Sequence, residues 1–143
     1  MPAVAGIDLN IKKGSFYGVL GPNGAGKTTT LSMCGGLLRP DAGSLYIGGL
    51  DVRRHINAIK RIIGLVPQEL AIYPTLTARE NLRYFGAMQG MTGDRLNARI
   101  AYCLNVAMLT HLADIKTETF SGGLKRRLSL VAGLIHEPQI LFL

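Results

Sequence analysis

Cysteine is scarce in these 143 residues: Cys34 and Cys103 stand far apart and neither belongs to a CxxC pair. That spacing argues against a disulfide framework or a zinc knuckle, and suits two reduced, half-buried thiols of a cytosolic protein. No apolar run approaches the roughly 18 residues that span a bilayer. Met1-Pro2-Ala3-Val4 lacks the basic stretch followed by an apolar one that opens a secretory signal. No repeat and no low-complexity tract interrupts the chain. Acidic residues are also few, 9 against 16 Lys and Arg, for a net charge of +7. Such a balance suits a phosphate-rich partner. It also suits a segment of a larger protein whose acidic residues lie elsewhere. The basic residues (Lys12-Lys13, Arg53-Arg54, Lys60-Arg61, Lys125-Arg126-Arg127) lack interleaved aromatics, which argues against a single-stranded nucleic acid platform.

What is present is a hydrophobic share of 48%, with charged residues at 17%, enough apolar surface for a folded domain and against disorder. Ala3–Ile11 alternates loosely as a first strand, with Ile7, Leu9 and Ile11 on one side; Lys12-Lys13-Gly14 turns, and Ser15–Leu20 reads as a second strand. A helix is predicted from Lys27 to about Gly35, closed by Gly35-Gly36. Turn residues Arg39–Gly43 precede a short strand at Ser44–Ile47. A helix over Val52–Lys60 and a β-branched strand, Ile62–Val66, follow. Beyond Pro67 the pattern turns helical. Thr77 and Glu80 form a capping box for a helix ending near Met88, and a second helix is predicted over Asp94–Ala107. A third is predicted over Ser121–Ile135, with Leu124, Leu128, Val131 and Ile135 on one face. The chain stops at Gln139-Ile140-Leu141-Phe142-Leu143, which reads as a buried strand cut midway, as in a fragment. Alternating strands and helices, then a helical insertion, then a return to strand predict an α/β sheet domain bearing a helical subdomain.

The stretch Gly21-Pro22-Asn23-Gly24-Ala25-Gly26-Lys27-Thr28 satisfies G-x-x-x-x-G-K-[ST] between a predicted strand and a predicted helix, the context a P-loop requires. Glycines let successive amides turn inward around an anion, and the helix start adds its partial positive end. Lys27 supplies a full charge for the β- and γ-phosphates, and the Thr28 hydroxyl is a hard oxygen ligand for Mg²⁺. Gln68 follows the strand Ile62–Val66, where α/β folds place ligands, and its amide suits a metal-bound water. Ser121-Gly122-Gly123 opens another helix; bare glycines there expose amides and make a second anion-binding end.

GPNGAGKTT (21–29), VPQE around Gln68, YPTLTARENL (73–82), FSGGLKRRLSL (120–130) and PQILFL (138–143) together resemble the ATP-binding subunit of an ABC transporter. The variant forms look most like the export-type subfamily that includes drug-resistance exporter ATPases. The resemblance implies a P-loop NTPase sheet core with an antiparallel β edge and an inserted helical subdomain. Residues 1–68 would be the sheet core, about 69–119 the helical subdomain, and 120–143 the signature helix and the start of the Walker B strand.

By that resemblance, Gly21, Pro22, Asn23, Gly24, Ala25, Gly26, Lys27, Thr28 and Thr29 bind ATP, and Thr28 and Gln68 serve Mg²⁺. Gln68 and Lys27 act in catalysis. Ser121, Gly122 and Gly123 close over the nucleotide of a second subunit in a head-to-tail dimer, and a membrane-spanning permease is the further partner. The location implied is cytoplasmic, at the inner face of the cell membrane. Leu124 stands where the family commonly has glutamine, and Phe120 where it has leucine. The adenine-stacking aromatic normally lies upstream of Met1; Tyr17 and Tyr46 read as core or surface residues. The metal-binding Asp and catalytic Glu normally follow the ILFL strand, so residues 1–143 are expected to bind nucleotide weakly and hydrolyse it poorly. His136 reads as a surface turn residue. A rival reading is a soluble ABC-type ATPase acting on nucleic acid or the ribosome. The 52 residues between Gln68 and Ser121 fit a compact helical subdomain rather than a coiled-coil arm or zinc insertion, which favours transport. A further rival is a module that binds nucleotide or a partner without turnover.

Overall fold

The computed structural model describes residues 2–143. The chain divides into two compact units, Met1–Ile56 and Asn57–Leu143.

In the first unit the glycine-rich stretch runs into α1 (Lys27–Cys34). Thr30, the buried residue of α1, donates its hydroxyl back to Gly26 O at 2.9 Å. Gly35 ends the helix, its N–H on Leu31 O at 2.8 Å, and Gly36 follows with φ +70. A Cβ on Gly36 would run into the Ile56 side chain, so only glycine fits this exit. Strands β1 (Tyr46–Ile47) and β2 (Leu50–Asp51) form an antiparallel hairpin. Gly48 and Gly49 both have positive φ, as a tight primed turn requires. Asp51 Oδ1 then accepts from Arg53 N at 2.8 Å, satisfying an amide at the start of α2 (Val52–Ile62). His55, at φ −122 and ψ 28, interrupts the helical geometry of α2.

The strands expected over residues 3–11 and 15–20 do not form. Ser15 N and Ser15 Oγ both donate to Lys12 O, so the turn at Lys12–Ser15 is present. Its flanks pair with no strand among the described residues. Ile7, Leu9, Ile11, Phe16 and Leu20 are exposed. Alternation says which face a strand would bury but not what would cover it. A strand also cannot satisfy its own backbone as a helix does.

In the second unit β3 (Ile63–Leu65) pairs in parallel with β4 (Ile140–Phe142), Ile63 opposite Ile140. The bonds Gln139 N to Ile62 O (2.8 Å) and Val66 N to Phe142 O (2.9 Å) extend the ladder, so Ile140–Phe142 is a strand as expected, but half-buried rather than buried. Between them in sequence lie α3 (Ala78–Met88), α4 (Gly93–Val106) and α5 (Gly122–Leu134). The capping box at α3 is complete: Glu80 N donates to Thr77 Oγ1 at 3.1 Å and Thr77 N to Glu80 Oε2 at 2.8 Å. Leu82, Ile100, Leu104, Leu109, Leu128 and Ile135 pack in one core between these helices. Helix α5 also lies close on β3: a Cβ on Gly64 would meet Gly133 O, and one on Gly133 would stand 2.6 Å from Val66 Cγ2. Cys34 and Cys103 are free thiols, and burial pushes both above the usual thiol range.

The sheet core is therefore smaller than expected, a parallel pair and an antiparallel hairpin. No helix among the described residues is long and apolar enough to cross a membrane.

Candidate functional site

Residues 21–29 are curled, not extended. Ala25 N donates to Pro22 O at 3.3 Å, and Gly24 (φ +84) and Gly26 (φ +81) take the left-handed conformation that turns amides inward. Gly26 is the N-cap of α1 and carries no side-chain cap, so its helix start keeps unpaired amides. A Cβ there would lie 2.5 Å from Ala3 O. Lys27 arcs back over the loop: its Nζ donates to Gly21 O at 2.7 Å and to Pro22 O at 2.8 Å. The ammonium has a further N–H to offer. Gly21, Pro22, Asn23, Gly24, Ala25 and Thr28 are exposed, while Gly26, Lys27 and Thr29 are half-buried. The loop forms a glycine-lined cradle with a cation drawn across it. It suits a triphosphate, and the exposed Thr28 hydroxyl, at the start of α1, suits a hard metal ion bound along with the phosphates.

Gln68 lies in the second unit, exposed on a bend just beyond β3. The residue before it is held: Pro67 O accepts from Arg126 Nη1 of α5 at 2.8 Å. Ser121 is the N-cap of α5, with φ −63 and ψ 161, and its hydroxyl accepts from Leu124 N at 3.4 Å. Gly122 and Gly123 are exposed, and a Cβ on either would meet nothing within 4 Å. Open space therefore lies in front of a helix start bearing bare amides. Leu124 packs against the core, the role its place on the apolar face predicts.

The structure thus brings Lys27 onto Gly21 and Pro22 within one unit, and Pro67 beside α5 within the other. Sequence reasoning missed Arg126 and two buried polar residues. Asn81 and Thr117 are fully buried and hydrogen-bonded to the segment after Gln68. A signal for Asn81 was available: it sits between Ala78 and Leu82 on a face otherwise apolar. Thr117 gave none. His136 lies in a turn as expected, but not on the surface. Its half-buried ring places Nε2 2.9 Å from Ile63 O, and Nδ1 is buried without a partner, because the chain from Ile135 to Pro138 folds back onto β3. Tyr17 and Tyr46 are exposed.

A glycine-lined cradle opening a helix, with its lysine folded across it in a mixed α/β chain, defines a P-loop NTPase fold. More narrowly, the ABC transporter family model matches residues 4–143, and the chain belongs to that family of nucleotide-binding cassettes. It is 48% identical over 140 residues to the linearmycin resistance ATP-binding protein LnrL of Bacillus subtilis (strain 168), covering 98% of this chain and 45% of that protein. It is 43% identical over 141 residues to the daunorubicin resistance ATP-binding protein DrrA3 of Streptomyces coeruleorubidus, covering 99% of this chain and 45% of that protein. Among solved structures, the dimeric post-hydrolysis state of the ATP-binding cassette MJ0796 bound to ADP and Pi superposes with a TM-score of 0.84. That likeness is 32% identical and covers 97% of this chain and 64% of that one. The chain spans 45% of the length of these two curated relatives.

Proposed function

We propose that this chain is the nucleotide-binding part of an ATP-hydrolysing subunit of an ABC exporter. The observation that carries the reading is the cradle at residues 21–28, with Gly24 and Gly26 left-handed and the Lys27 ammonium held over Gly21 and Pro22. The names of the relatives, resistance proteins that bind ATP, support export.

In this reading Gly21–Thr29 bind ATP. Backbone amides receive the phosphate oxygens, and Lys27 exchanges its carbonyl partners for the β- and γ-phosphates. Thr28 holds Mg²⁺, with Gln68 contributing to the metal and to the water that attacks. Ser121, Gly122 and Gly123 face the nucleotide of a second subunit in a head-to-tail dimer; that the MJ0796 cassette is dimeric supports a dimer in general. Residues 1–68 serve as the sheet core, 69–119 as the helical subdomain that meets a membrane-spanning permease at the inner face of the membrane, and 120–143 as the signature helix and a core strand.

Titration of the 143-residue chain with a fluorescent ATP analogue and Mg²⁺ tests the reading. Replacing Lys27 by Ala is expected to weaken binding about 10- to 100-fold, the worth of a charge-assisted hydrogen bond to phosphate. An affinity indifferent to Lys27→Ala would overturn it.

A further inference from the structure

Thr117 and Arg126 stand on either side of Ser121–Gly123, and both reach the one stretch of chain that carries Gln68. Arg126 Nη1 donates to Pro67 O at 2.8 Å, immediately before Gln68. Thr117 Oγ1 donates to Tyr73 O at 2.9 Å, beyond Gln68. Around Thr117 the two segments are laced together: Thr117 N donates to Leu76 O at 3.0 Å and Glu118 N to Pro74 O at 2.9 Å. Thr77 and Lys116 form an isolated antiparallel bridge. Asn81 fastens the same segment from α3. Its Oδ1 accepts from Tyr73 N at 2.8 Å, and its Nδ2 donates to Tyr73 O and to Thr77 O, each at 3.0 Å.

Asn81 and Thr117 are both fully buried, and their side-chain partners are backbone groups of residues 73–77. A buried network with every member paired is rigid, because each lost bond strands a desolvated group. The loop from Pro67 to Thr77 is thus fixed at both ends. One end is tied to α5 and the other to the segment leading into it. Gln68 itself, between the ties, stays exposed.

We infer that Arg126 and the Thr117–Asn81 pair are positioning residues forming a two-point clamp that makes the Gln68 loop and the Ser121-Gly122-Gly123 helix start move as one piece. This deepens the reading above and rests on it for its functional meaning. There Gln68 serves the nucleotide of its own chain and Ser121–Gly123 that of a second subunit, so a clamp inside one chain links the two nucleotides. The clamp itself is a mechanical claim that can be tested without nucleotide.

Amide hydrogen exchange on the 143-residue chain reads it directly. Thr117→Val keeps the shape and removes the hydroxyl. It is expected to speed exchange roughly tenfold at Tyr73 and Leu76 and, in parallel, at Leu124 and Lys125, the amides of the α5 start. Thr117→Ser restores the hydroxyl and the protection at both ends. Arg126→Met, at a half-buried position, raises the same two sets of amides more modestly, and Arg126→Lys recovers part of the loss. The double variant Thr117→Val/Arg126→Met departs from the product of the single effects, since both ties hold one body. Leu104 in α4 stays protected throughout.

A rise confined to residues 116–118, or a double variant equal to the product of the singles, overturns the clamp. Nucleotide titration of the same proteins keeps the two claims apart. Wild-type chain that fails to bind nucleotide sinks the functional reading while leaving the exchange result to decide the clamp. Binding that persists while the two ends exchange independently sinks the clamp alone.

Discussion

Residues 57–143 and residues 2–56 have very different interiors. The second unit encloses a continuous core in which Leu82, Leu109, Leu128 and Ile135 are wholly excluded from solvent. The first buries Ile47 and Val52 and leaves Phe16 and Leu20 each 95% exposed. The cause lies in how each element obtains its hydrogen bonds. A helix satisfies its own backbone and needs neighbours only for one face, so α3, α4 and α5 close a core within a few dozen residues. A strand needs a partner for both backbone and side chains, and residues 3–20 have no strand partner among those described. The glycine-rich cradle escapes this dependence, because a glycine-rich turn and a helix start are local structures.

The largest effect that would sharpen this contrast is in the core. Leu82→Ala is expected to cost the second unit about 2–5 kcal/mol, from lost transfer energy and the cavity left behind. Leu20→Ala in the first unit should stay within about 0.5 kcal/mol. Denaturant unfolding followed by far-ultraviolet circular dichroism measures both, and a Leu20 variant as damaging as the Leu82 one would erase the distinction.

The two glycine-bearing helix starts offer the next test. Gly26 has φ +81 and no room for a Cβ beside Ala3 O, so Gly26→Ala is expected to cost about 1–2 kcal/mol. Loss of protection at Thr30 N, which bonds to Gly26 O at 2.8 Å, would report it. Gly123 is helical and faces open space, so Gly123→Ala should instead stabilise α5, by about 0.5 kcal/mol. Opposite signs would mean that Gly26 is required by the backbone, whereas Gly123 is kept at some cost to its helix. That is the pattern expected where something approaches the amides closely. Equal signs would remove this difference between the two sites.

The same division explains what was legible in the sequence. Elements with chemical punctuation were readable to within a residue or two. Thr77 and Glu80 marked the start of α3, Ser121 that of α5, and Gly35-Gly36 the end of α1. The cradle was readable because each of its residue types answers a local demand for positive φ, for bare amides or for a cation. The strands at 3–11 and 15–20 were misjudged because alternation carries no information about a partner. The ties at Arg126 and Thr117 were invisible for a related reason. Their partners are backbone carbonyls up to 59 residues away, and a carbonyl has no letter in the sequence. The turn at His136 was readable but its burial was not, its Ile63 carbonyl lying 73 residues off.

The smallest effect sharpens the claim that the second unit's helices are locally encoded. The Thr77 backbone N–H and then the Thr77 hydroxyl, both bonded to Glu80, hold the Glu80 carboxyl below the usual carboxylate range. A carboxyl lowered in the folded state contributes stability that is present above its unfolded value and is lost as pH falls through the folded one. The second unit should therefore lose a small increment of stability on acidification through the lower carboxylate range. Glu80→Gln keeps an oxygen able to accept from Thr77 N but cannot titrate, so it should flatten that part of the profile while preserving α3. Asp114 is also lowered, by its hydrogen bond to Arg79, and would contribute a slope of the same sign. The comparison is therefore made between Glu80→Gln and wild type at each pH rather than from the wild-type curve alone. Parallel curves for the two proteins would mean that the capping carboxylate adds nothing through its charge, leaving the start of α3 to the Thr77 hydroxyl and the packing of Leu82.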